Sequence, residues 1–429
     1  MGESTQVLAE HIGNSASSVL EALLQRLYNG EQLTANRRLL RATARDYTEA
    51  LQCGYGGKLT DIDWNSPDFD TLEKLTQNVY QFAAAKNYHE LRDLTDAVRD
   101  GDKIRSFDDF REQALPIIGK YNQNWLRTEY NQAIAAAQSG ARWNDFQRGK
   151  KDMPYLQYQC VMDGNTRPEH AALDGVIKRM DDGFWDKYMP PNGWGCRCEA
   201  IQLPGSSYTE TADSEIILPA VPEMFQINFG KQGIAFPQGH PYYRRLPKDF
   251  KRQAKDMARA EVRRVIANAE QYRKLKDDPN YTEVRFDNYT GGVSAVHIEH
   301  NFDKHDGRFE REVLNAGYNE GMSVVLGKEG SRVIGERFTE GLWNGKPFEI
   351  AGKRQAREID YLKGLKHCAS KRTTQIAVID LPNGGFNQET LQGAIRRYNG
   401  LEKLQDGQFL RFEKIIIVQD ESIVYEGTL

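Results

Sequence analysis

A chain of 429 residues is long enough for about three domains of roughly 150 residues each, which excludes a peptide or a single small module. Hydrophobic residues make up 39% of the chain and charged residues 28%, with a mean hydropathy of -0.69; this composition predicts a polar globular protein and excludes wholesale disorder. The formal net charge of -4 argues against a uniformly basic coat for nucleic acid.

Targeting segments and disulfide scaffolds are not expected either. No apolar run approaches the ~20 residues that a membrane span needs, and the first residues lack the basic-then-apolar order of a secretory signal. We therefore expect a cytoplasmic origin and no membrane partner. The five cysteines are few and odd in number, which makes a disulfide framework improbable.

Residues 1–150 carry apolar positions at helical spacing and are predicted to form a helical region. Ser66 and Ser106 stand where helix N-caps are expected, and the glycines within residues 54–57 predict a helix end. An apolar stripe over residues 122–147 predicts a long amphipathic core helix.

Residues 151–215 are dense in Gly, Pro, Trp, Cys and Asp, have no sustained period, and are predicted to form a small loop-rich module. Four of its side chains are of types that zinc accepts in tetrahedral sites: Cys160, His170, Cys196 and Cys198. One residue separates the last two cysteines, where the common zinc knuckle has two. The residues alone leave two alternatives open, a zinc site or a metal-free module with reduced thiols or a local disulfide.

Residues 216–290 are predicted to form an irregular linker followed by a basic helix at about residues 248–276. Between Arg244 and Lys276 there are twelve Lys and Arg residues against four acidic ones. This excess of positive charge fits a nucleic-acid backbone or an acidic partner surface, and a solvated helix face is the alternative interpretation.

Residues 291–429 alternate between helical and strand patterns and are predicted to form a separate α/β domain. The runs IAVID and KIIIV are typical of buried strands, and Asn344-Gly345 between two strand-like runs predicts a tight hairpin. Three histidines near the start of this region are interpreted as part of a solvated loop, with an acid–base or metal role as the alternative: His297, His300 and His305.

The run from Cys160 to Cys198 resembles the signature of the phage Mu F-like head morphogenesis proteins. The resemblance is carried by Asp-x-x-Thr-Arg-Pro-x-His, Leu-Asp-Gly and Pro-Pro-Asn-Gly-Trp-x-Cys-Arg-Cys, here Asp163, Thr166, Arg167, Pro168, His170, Leu173, Asp174, Gly175, Pro190, Pro191, Asn192, Gly193, Trp194, Cys196, Arg197 and Cys198. The similarity extends over about residues 70–245. It implies a minor head protein of a phage or prophage, present in the virion near the portal vertex, with portal and capsid proteins as partners.

Within this module, Arg167 and Arg197 are expected to donate paired hydrogen bonds to Asp163 and Asp174. Nothing in it resembles a nucleophile with its base, which favours assembly over catalysis. The family often has a histidine ahead of the final cysteine pair, and that histidine is absent here. A four-ligand metal set therefore requires Cys160.

The predicted hairpin raises a question of charge. A two-residue turn sets Glu340 opposite Glu349, and like charges at opposed positions destabilise a sheet unless solvent, a cation or a shared proton intervenes. Solvent exposure is one answer, and a magnesium ion or Lys353 is the other. A third carboxylate from the preceding helix, Glu310 or Glu312, would complete a set suited to phosphodiester hydrolysis by a metal-polarised water.

The order of elements over about residues 300–425 resembles the C-terminal tRNA-cleaving toxin domains of CdiA-type contact-dependent inhibition proteins, which are restriction-endonuclease-like nucleases. That resemblance implies a helix glutamate, an acid on the first hairpin strand and an acid-x-Lys on the second, which map here to Glu312, Glu340 and Glu349. Ala351 stands where the lysine is expected, so Lys353 takes its place in this hypothesis. Host tRNA and an immunity protein are the implied partners.

The sequence thus predicts a multidomain protein with a mainly α N-terminal region, a Cys/His module, a basic linker helix and an α/β, restriction-endonuclease-like C-terminal domain. The function predicted is that of a phage minor head protein in capsid assembly and DNA packaging, carrying an RNA-cleaving domain. The alternative is a purely structural head protein whose C-terminal domain is an inactive binding module.

Overall fold

The computed structural model describes residues 14–206, 208–302, 307–328, 339–371, 373–404 and 411–428. Clustering of contacts divides the chain into two compact units, Met1–Val262 and Arg263–Leu429. The first is mainly helical and the second is built on a mixed sheet, so the predicted organisation into a helical N-terminal region and an α/β C-terminal region is confirmed. His305 lies outside the described residues.

Long helices form the body of the first unit. They are α1 (Asn14–Tyr28), α2 (Arg37–Tyr55), α3 (Pro67–Ala97), α4 (Phe107–Gly119) and α5 (Leu126–Gly149). The side chain of Ser66 accepts a hydrogen bond from the Phe69 amide at the start of α3, and Ser106 does the same for Asp109 at the start of α4. Gly56, with φ of 78°, ends α2. These predicted helix boundaries are confirmed.

Helices α2 and α5 approach closely because Gly54 has no side chain. A Cβ at this position would lie 2.3 Å from the carbonyl oxygen of Ile134. Nearby, a buried ion pair joins α3 to α5, with Lys86 Nζ 2.8 Å from Glu129 Oε2. Tyr47 of α2 donates a hydrogen bond of 2.5 Å to the same oxygen. Three helices are therefore tied together through one buried carboxylate, which is paired as a buried charge must be.

The remainder of the first unit is made of short elements. Its strands are β1 (Arg99–Asp100), β2 (Lys103–Ile104), β3 (Tyr155–Gln159), β4 (Ile177–Arg179) and β5 (Glu199–Leu203). Its short helices are α6 (Pro168–Ala171), α7 (Phe184–Tyr188), α8 (Phe229–Gln232) and α9 (Pro241–Arg244), with 3-10 turns at Asp213–Glu215 and Glu223–Phe225. Strands β4, β3 and β5 form an antiparallel sheet in that order, which the sequence did not predict in the loop-rich module.

The predicted basic helix is present as α10 (Lys248–Asp277). Within the first unit its residue Glu261 forms a buried pair with Arg41, with Arg41 Nε 2.9 Å from Glu261 Oε2. None of the described helices has the length and apolarity needed to cross a bilayer.

The second unit contains one eight-stranded sheet in which the strand order follows the chain. Its elements are β6 (Tyr281–Phe286), β7 (Val293–His297), α11 (Gly307–Asn319), β8 (Ser323–Leu326), β9 (Gly341–Trp343), β10 (Lys346–Gly352), α12 (Glu358–Ala369), β11 (Ile376–Asp380), α13 (Gln388–Leu404), β12 (Lys414–Gln419) and β13 (Ser422–Gly427). Three neighbouring pairs are parallel, β7 with β8, β10 with β11 and β11 with β12, and the others are antiparallel.

Each face of this sheet packs against different helices. Phe348 and Ile350 of β10 belong to the core cluster that includes Val313 of α11. Ala351 belongs to the opposite cluster, with Leu365 of α12 and Ala394 of α13 among its members. Because strand side chains alternate between faces, the even positions of β10 face α11 and the odd positions, including Glu349, face the other side.

The hairpin register is as predicted. Asn344 and Gly345 both have positive φ, 49° and 77°, as a type I′ turn requires, and Trp343 pairs with Lys346. The structure adds two strands, β6 and β7, before the first helix of this unit, where the sequence predicted none. The alternation in β6 is broken by a register shift between Thr282 and Arg285, which explains why its pattern is not strand-like.

Candidate metal centres

The Cys/His residues of the first unit come together around His170. This histidine lies on α6 and is 3% exposed. Its Nδ1 is 3.5 Å from Cys196 Sγ and 3.6 Å from Cys198 Sγ. Cys160 Sγ lies 3.3 Å from Cys198 Sγ and donates a hydrogen bond of 3.2 Å to the carbonyl oxygen of His170. All four side chains predicted from the sequence are therefore neighbours.

The spacing of the donor atoms fits a zinc ion. With Zn–S bonds of about 2.3 Å and Zn–N bonds of about 2.0 Å, tetrahedral geometry places sulfur and nitrogen about 3.5 Å apart. His170, Cys196 and Cys198 meet this spacing, and their donor atoms all lie within 4.8 Å of one another. The Cys160 to Cys198 separation of 3.3 Å is shorter than the about 3.8 Å between two zinc-bound sulfurs. Cys160 is not among the donors that all lie within 4.8 Å of one another, so its side chain would have to move toward the other donors to become the fourth ligand.

The conformation of the loop explains how Cys196 and Cys198 can approach the same ion although only one residue separates them. The two cysteines lead directly into β5, and side chains two apart on an extended chain project to the same side. Arg197 between them turns the other way, and its guanidinium donates two hydrogen bonds to Asp163, of 2.7 and 2.5 Å. Hydrogen bonding to Cys198, together with burial, raises the pKa of Cys196 to about 12, so without a cation Cys196 is held as a neutral thiol.

Hydrogen bonds to the backbone fix the loops that carry the four side chains. Asp174 accepts a hydrogen bond of 2.7 Å from the Cys160 amide. Arg167 donates one of 2.6 Å to the Trp194 carbonyl oxygen, and the buried Asn192 accepts one of 2.9 Å from the Tyr158 hydroxyl. The pairing of Arg197 with Asp163 is as predicted. The predicted pairing of Arg167 and Asp174 is wrong, because both side chains serve backbone groups of the turns instead.

In the second unit, Glu340 and Glu349 lie side by side at the end of the hairpin. The Glu340 amide donates a hydrogen bond of 3.2 Å to Glu349 Oε2, and the Glu349 side chain is 2% exposed. Solvent therefore does not separate these charges. Lys371, which follows α12, places its Nζ 2.8 Å from Glu349 Oε1, and His367 Nε2 lies 3.4 Å from the same oxygen.

His300 and Glu310 complete this cluster. His300 Nε2 is 3.0 Å from Glu310 Oε2, its Nδ1 is 2.9 Å from the carbonyl oxygen of Gly327, and the His300 side chain is fully buried. Burial lowers the pKa of His300, but the hydrogen bonds to Glu310 and Gly327 and the charges of Glu310 and Glu340 outweigh it, so the pKa is raised. The interpretation of His300 as a solvated loop residue is wrong.

The surroundings of Glu340 favour its protonated form. Burial, followed by the charges of Glu310 and Glu349, raises the pKa of Glu340 to about 8. A separate pair of carboxyls lies between α11 and β11, where burial and the charge of Glu312 raise the pKa of Asp380 to about 8. Glu312 also receives a hydrogen bond of 2.7 Å from Arg308.

The set of residues that the structure brings together differs from the set predicted to be catalytic. Glu340 and Glu349 come together, but the helix carboxylate beside Glu340 is Glu310, because Glu312 is paired with Arg308 and Asp380. The cation beside Glu349 is Lys371. Lys353 forms no ion pair with these carboxylates among the described residues; its backbone amide donates to the Asp380 carbonyl oxygen at 2.8 Å.

The donor set of this second cluster fits a divalent cation. Donor atoms of His300, Glu310 and Glu340 all lie within 4.8 Å of one another. Adjacent ligands of an octahedral ion with bonds of about 2.1 Å are about 3.0 Å apart, which equals the distance between His300 Nε2 and Glu310 Oε2. The same distance is that of an ordinary charge-assisted hydrogen bond, so a metal would have to displace a proton from this pair.

Comparison with known proteins bears on the first unit. Residues 90–201 match the family described as Phage Mu protein F like protein. This range includes all four side chains of the Cys/His cluster. It covers the helices from the end of α3 through α5 and the small sheet that carries the cysteines.

Two curated relatives share this similarity. The "Putative capsid assembly protein F" of Escherichia phage Mu is 41% identical over 85 residues, which is 20% of this chain and 19% of that protein. The "Mu-like prophage FluMu F protein" of Haemophilus influenzae is 41% identical over 78 residues, 18% of this chain and 19% of that protein. The chain thus spans about a fifth of the length of these relatives. No solved structure is significantly similar to it.

Proposed function

We propose that this chain is a phage or prophage head protein that acts in capsid assembly and DNA packaging near the portal. The observation that carries the proposal is the similarity of residues 90–201 to the Phage Mu F-like family, because that range contains all four side chains of the Cys/His cluster. Both relatives are named for a phage or prophage, and one of them for capsid assembly. Portal and capsid proteins are the partners, and the virion is the location.

In this proposal, Zn²⁺ bound by Cys160, His170, Cys196 and Cys198 is structural. Four protein ligands leave no open coordination position for a substrate. The ion would link the loop before β5, the short helix α6 and the end of β3. Such a link stabilises a small module, because the apolar area that the module buries is too small to do so alone.

Complementation tests the assembly function. A phage or prophage that lacks this gene is supplied with wild-type protein, with Cys198→Ser or with Cys53→Ser, and DNA-filled heads are counted by electron microscopy. Cys53 is an exposed free cysteine outside the cluster, so its substitution controls for the loss of a thiol. We expect filled heads with wild type and Cys53→Ser and few with Cys198→Ser. Normal head yields without the gene would contradict the proposal.

Packaged DNA is the proposed partner of the basic face of α10. Arg252, Lys255 and Arg259 of this helix are exposed, and the acidic neighbours of Arg252 and Arg259 lie 3.7 and 3.9 Å away, too far for strong pairing. Phosphate binding by such side chains releases counterions, so the affinity for duplex DNA should fall steeply with salt. Affinity that does not change with salt would contradict this part of the proposal.

A second candidate function is metal-dependent cleavage of RNA, with host tRNA as substrate and an immunity protein as partner. The observation that favours it is the buried cluster of His300, Glu310 and Glu340, whose donor atoms all lie within 4.8 Å of one another. The carboxyl group of Glu349 lies beside it and accepts a hydrogen bond from the Glu340 amide. Mg²⁺ bound there would polarise a water for attack on a phosphodiester. Lys371 would stabilise negative charge on the phosphate.

This second function is tested with the purified full chain, total tRNA and Mg²⁺, with the RNA resolved on denaturing gels. Glu340→Gln is compared with Glu358→Gln, a partly exposed glutamate of α12 that pairs with Arg397 outside the cluster. Cleavage that requires the metal, is lost in Glu340→Gln and persists in Glu358→Gln would support the nuclease. Intact tRNA in every reaction would favour the alternative, an inactive binding module.

A further inference from the structure

The first unit contains a cavity of about 420 Å³ that neither metal centre uses. It opens between the end of α3, the π-helical turn Lys120–Asn124 and the short helix α9. Its volume lies in the range of ordinary small-molecule sites, about 300–1,000 Å³. The cavity is therefore large enough to hold a ligand rather than a few waters.

Flat aromatic rings form the walls of this cavity. Tyr121 and Tyr242 lie nearly parallel, with ring centroids 6.1 Å apart, and Trp125 lies 6.1 Å from Tyr242. Trp194 and His240 continue the wall, with centroids 5.8 Å apart. The Trp125 side chain is 41% exposed, which is unusual for a tryptophan that packs only against its own fold. Such a surface is suited to stacking against a planar ring.

Positive charge rims the opening. Arg92, Lys120 and Arg245 line it, against the single carboxylate of Asp93 at the rim. Asp93 is shared between Lys120 and Arg92, at 3.5 and 3.6 Å, and accepts a hydrogen bond from Tyr121. The other acidic group in the lining, Glu129, is neutralised by Lys86. The rim therefore has a net positive charge that favours an anion.

One ring of the cavity wall is held rigidly. Tyr242 is 7% exposed and lines the cavity, and its side chain interacts with the Glu129 carboxylate. Its backbone is fixed, because its carbonyl oxygen lies 2.9 Å from His89 Nε2 and its amide donates to His240 Nδ1 at 3.2 Å. The Tyr242 ring is therefore a preformed surface for stacking.

We propose that this cavity binds a nucleotide, with the base stacked on Trp125 and Tyr242 and the phosphate held by Arg245 and Lys120. The nucleotide can be free or part of a single strand, since both offer the same base and phosphate. Aromatic platforms beside a cationic rim are the general means by which proteins bind single-stranded nucleic acid.

An acidic peptide that inserts one aromatic side chain fits the cavity less well. A single benzene ring fits a cavity of about 150 Å³, so one peptide ring would leave most of 420 Å³ unfilled. A base with its sugar fills more of the space, and its phosphate reaches the rim. We therefore favour the nucleotide and treat peptide binding as an outcome that would overturn the proposal.

Binding to the full chain is measured by titration calorimetry with four probes. They are deoxyadenosine monophosphate, oligothymidylate, an abasic strand of the same length, and an acidic peptide that contains phenylalanine. If the monophosphate and the oligothymidylate both bind, free nucleotides suffice. If the oligothymidylate binds and the monophosphate does not, the ligand is a strand. Equal binding of the abasic strand, binding of the peptide alone, or no binding at all would overturn the proposal.

Matched variants locate the binding. Trp125→Ala should weaken binding about 5- to 100-fold, the range that stacking of a base on an aromatic ring contributes. Because Trp125 is 41% exposed, this variant is expected to fold, and its unfolding temperature is measured as a check.

Two neighbouring arginines serve as an internal control. Arg245→Gln should weaken binding about fivefold or more, and Arg244→Gln, which removes the same charge one residue earlier, should have little effect. Equal losses in Arg245→Gln and Arg244→Gln would show nonspecific charge attraction and overturn the proposal.

Discussion

The two clusters of ligand-type side chains are held together in different ways. Around His170, backbone hydrogen bonds fix the loops and bring the sulfurs to distances of 3.5 and 3.6 Å from Nδ1, and the neighbouring guanidinium of Arg197 is paired with Asp163. Around Glu340, the protein supplies its own cations, Lys371 and His300, to carboxylates that would otherwise repel one another. In the first cluster, a metal has only thiol protons to displace. In the second, a metal must compete with a proton and an ammonium group.

Substitution of Cys198 should have the largest effect. In Cys198→Ser we expect the zinc content to fall from about one per chain to near zero, with a loss of several kcal/mol in the stability of the first unit, because structural zinc binding is coupled to folding. Zinc is measured by mass spectrometry of the purified protein and stability by denaturant unfolding. Cys53→Ser is the control. Equal zinc contents in the two variants, or none in the wild type, would refute the zinc site.

The next largest effect is expected at Lys371. Lys371→Met leaves the buried carboxylate of Glu349 without its closest cation, which should lower the free energy of local opening around β10 by about 1–3 kcal/mol. Hydrogen exchange of peptides that cover β9 and β10 measures this change. Lys346→Met removes a similar lysine that pairs with Glu413 at the surface and should cost at most about 1 kcal/mol. Equal effects of Lys371→Met and Lys346→Met would contradict the expectation that the burial of Glu349 makes its ion pair more important for stability.

The pH dependence of the second unit gives a smaller effect with a definite sign. The pKa of Glu340 is raised from 4.5 to about 8, so the protonated form is favoured in the folded state. Its contribution to stability is fully present below pH 4.5 and is lost as the pH rises through about 8. The raised pKa of His300 acts in the same direction, above its ordinary value of 6.5.

Hydrogen exchange of the β9–β10 hairpin in the presence of a chelator tests this. Between pH 5 and 8 we expect stability to fall by about 1–2 kcal/mol in the wild type and by less in Glu340→Gln, which does not titrate. Glu358→Gln should retain the wild-type slope. A wild-type slope no steeper than that of Glu340→Gln would show that Glu340 is ionised throughout, as it would be beside a permanently bound cation.

The smallest effect is expected at the rim of the Cys/His cluster. Arg197, mainly through its side-chain hydrogen bonds, holds the pKa of Asp163 at about 2, so the pair is charged at all ordinary pH values. Asp163→Asn should speed zinc release to a competing chelator by about tenfold at most, because the pair positions the cysteine loop but is exposed. Asp181→Asn, which breaks another exposed pair with Arg179, should leave the rate unchanged. A larger effect in Asp181→Asn would contradict the positioning role of Asp163.

Features set by local chemistry could be predicted from the sequence. Ser66 and Ser106 cap helices through hydrogen bonds to residues three positions later, and Asn344-Gly345 defines a turn whose register places Glu340 opposite Glu349. The gathering of Cys160, His170, Cys196 and Cys198 followed from residue types within forty positions. These cases need no knowledge of distant parts of the chain.

Partners contributed by distant elements could not be predicted. Lys371 reaches Glu349 only because α12 packs on the odd-numbered face of β10, and Glu310 rather than Glu312 meets Glu340 because of how α11 is rotated on the opposite face. Arg167 binds a carbonyl oxygen whose direction depends on the turn that precedes Cys196. Strand β6 could not be predicted because a register shift, beside Glu283 with φ of 51°, interrupts the alternation of its side chains.

The order of strands in the second unit has a consequence for its synthesis. Each strand from β6 to β13 lies beside the strand made just before it, so every new strand leaving the ribosome finds its partner already present. Contacts between near neighbours close short loops, which favours fast folding and limits the time that unpaired strand edges spend exposed to other chains. The two outermost pairings, β6 with β7 and β12 with β13, each contain a register shift that twists the edge away from the flat form prone to aggregation.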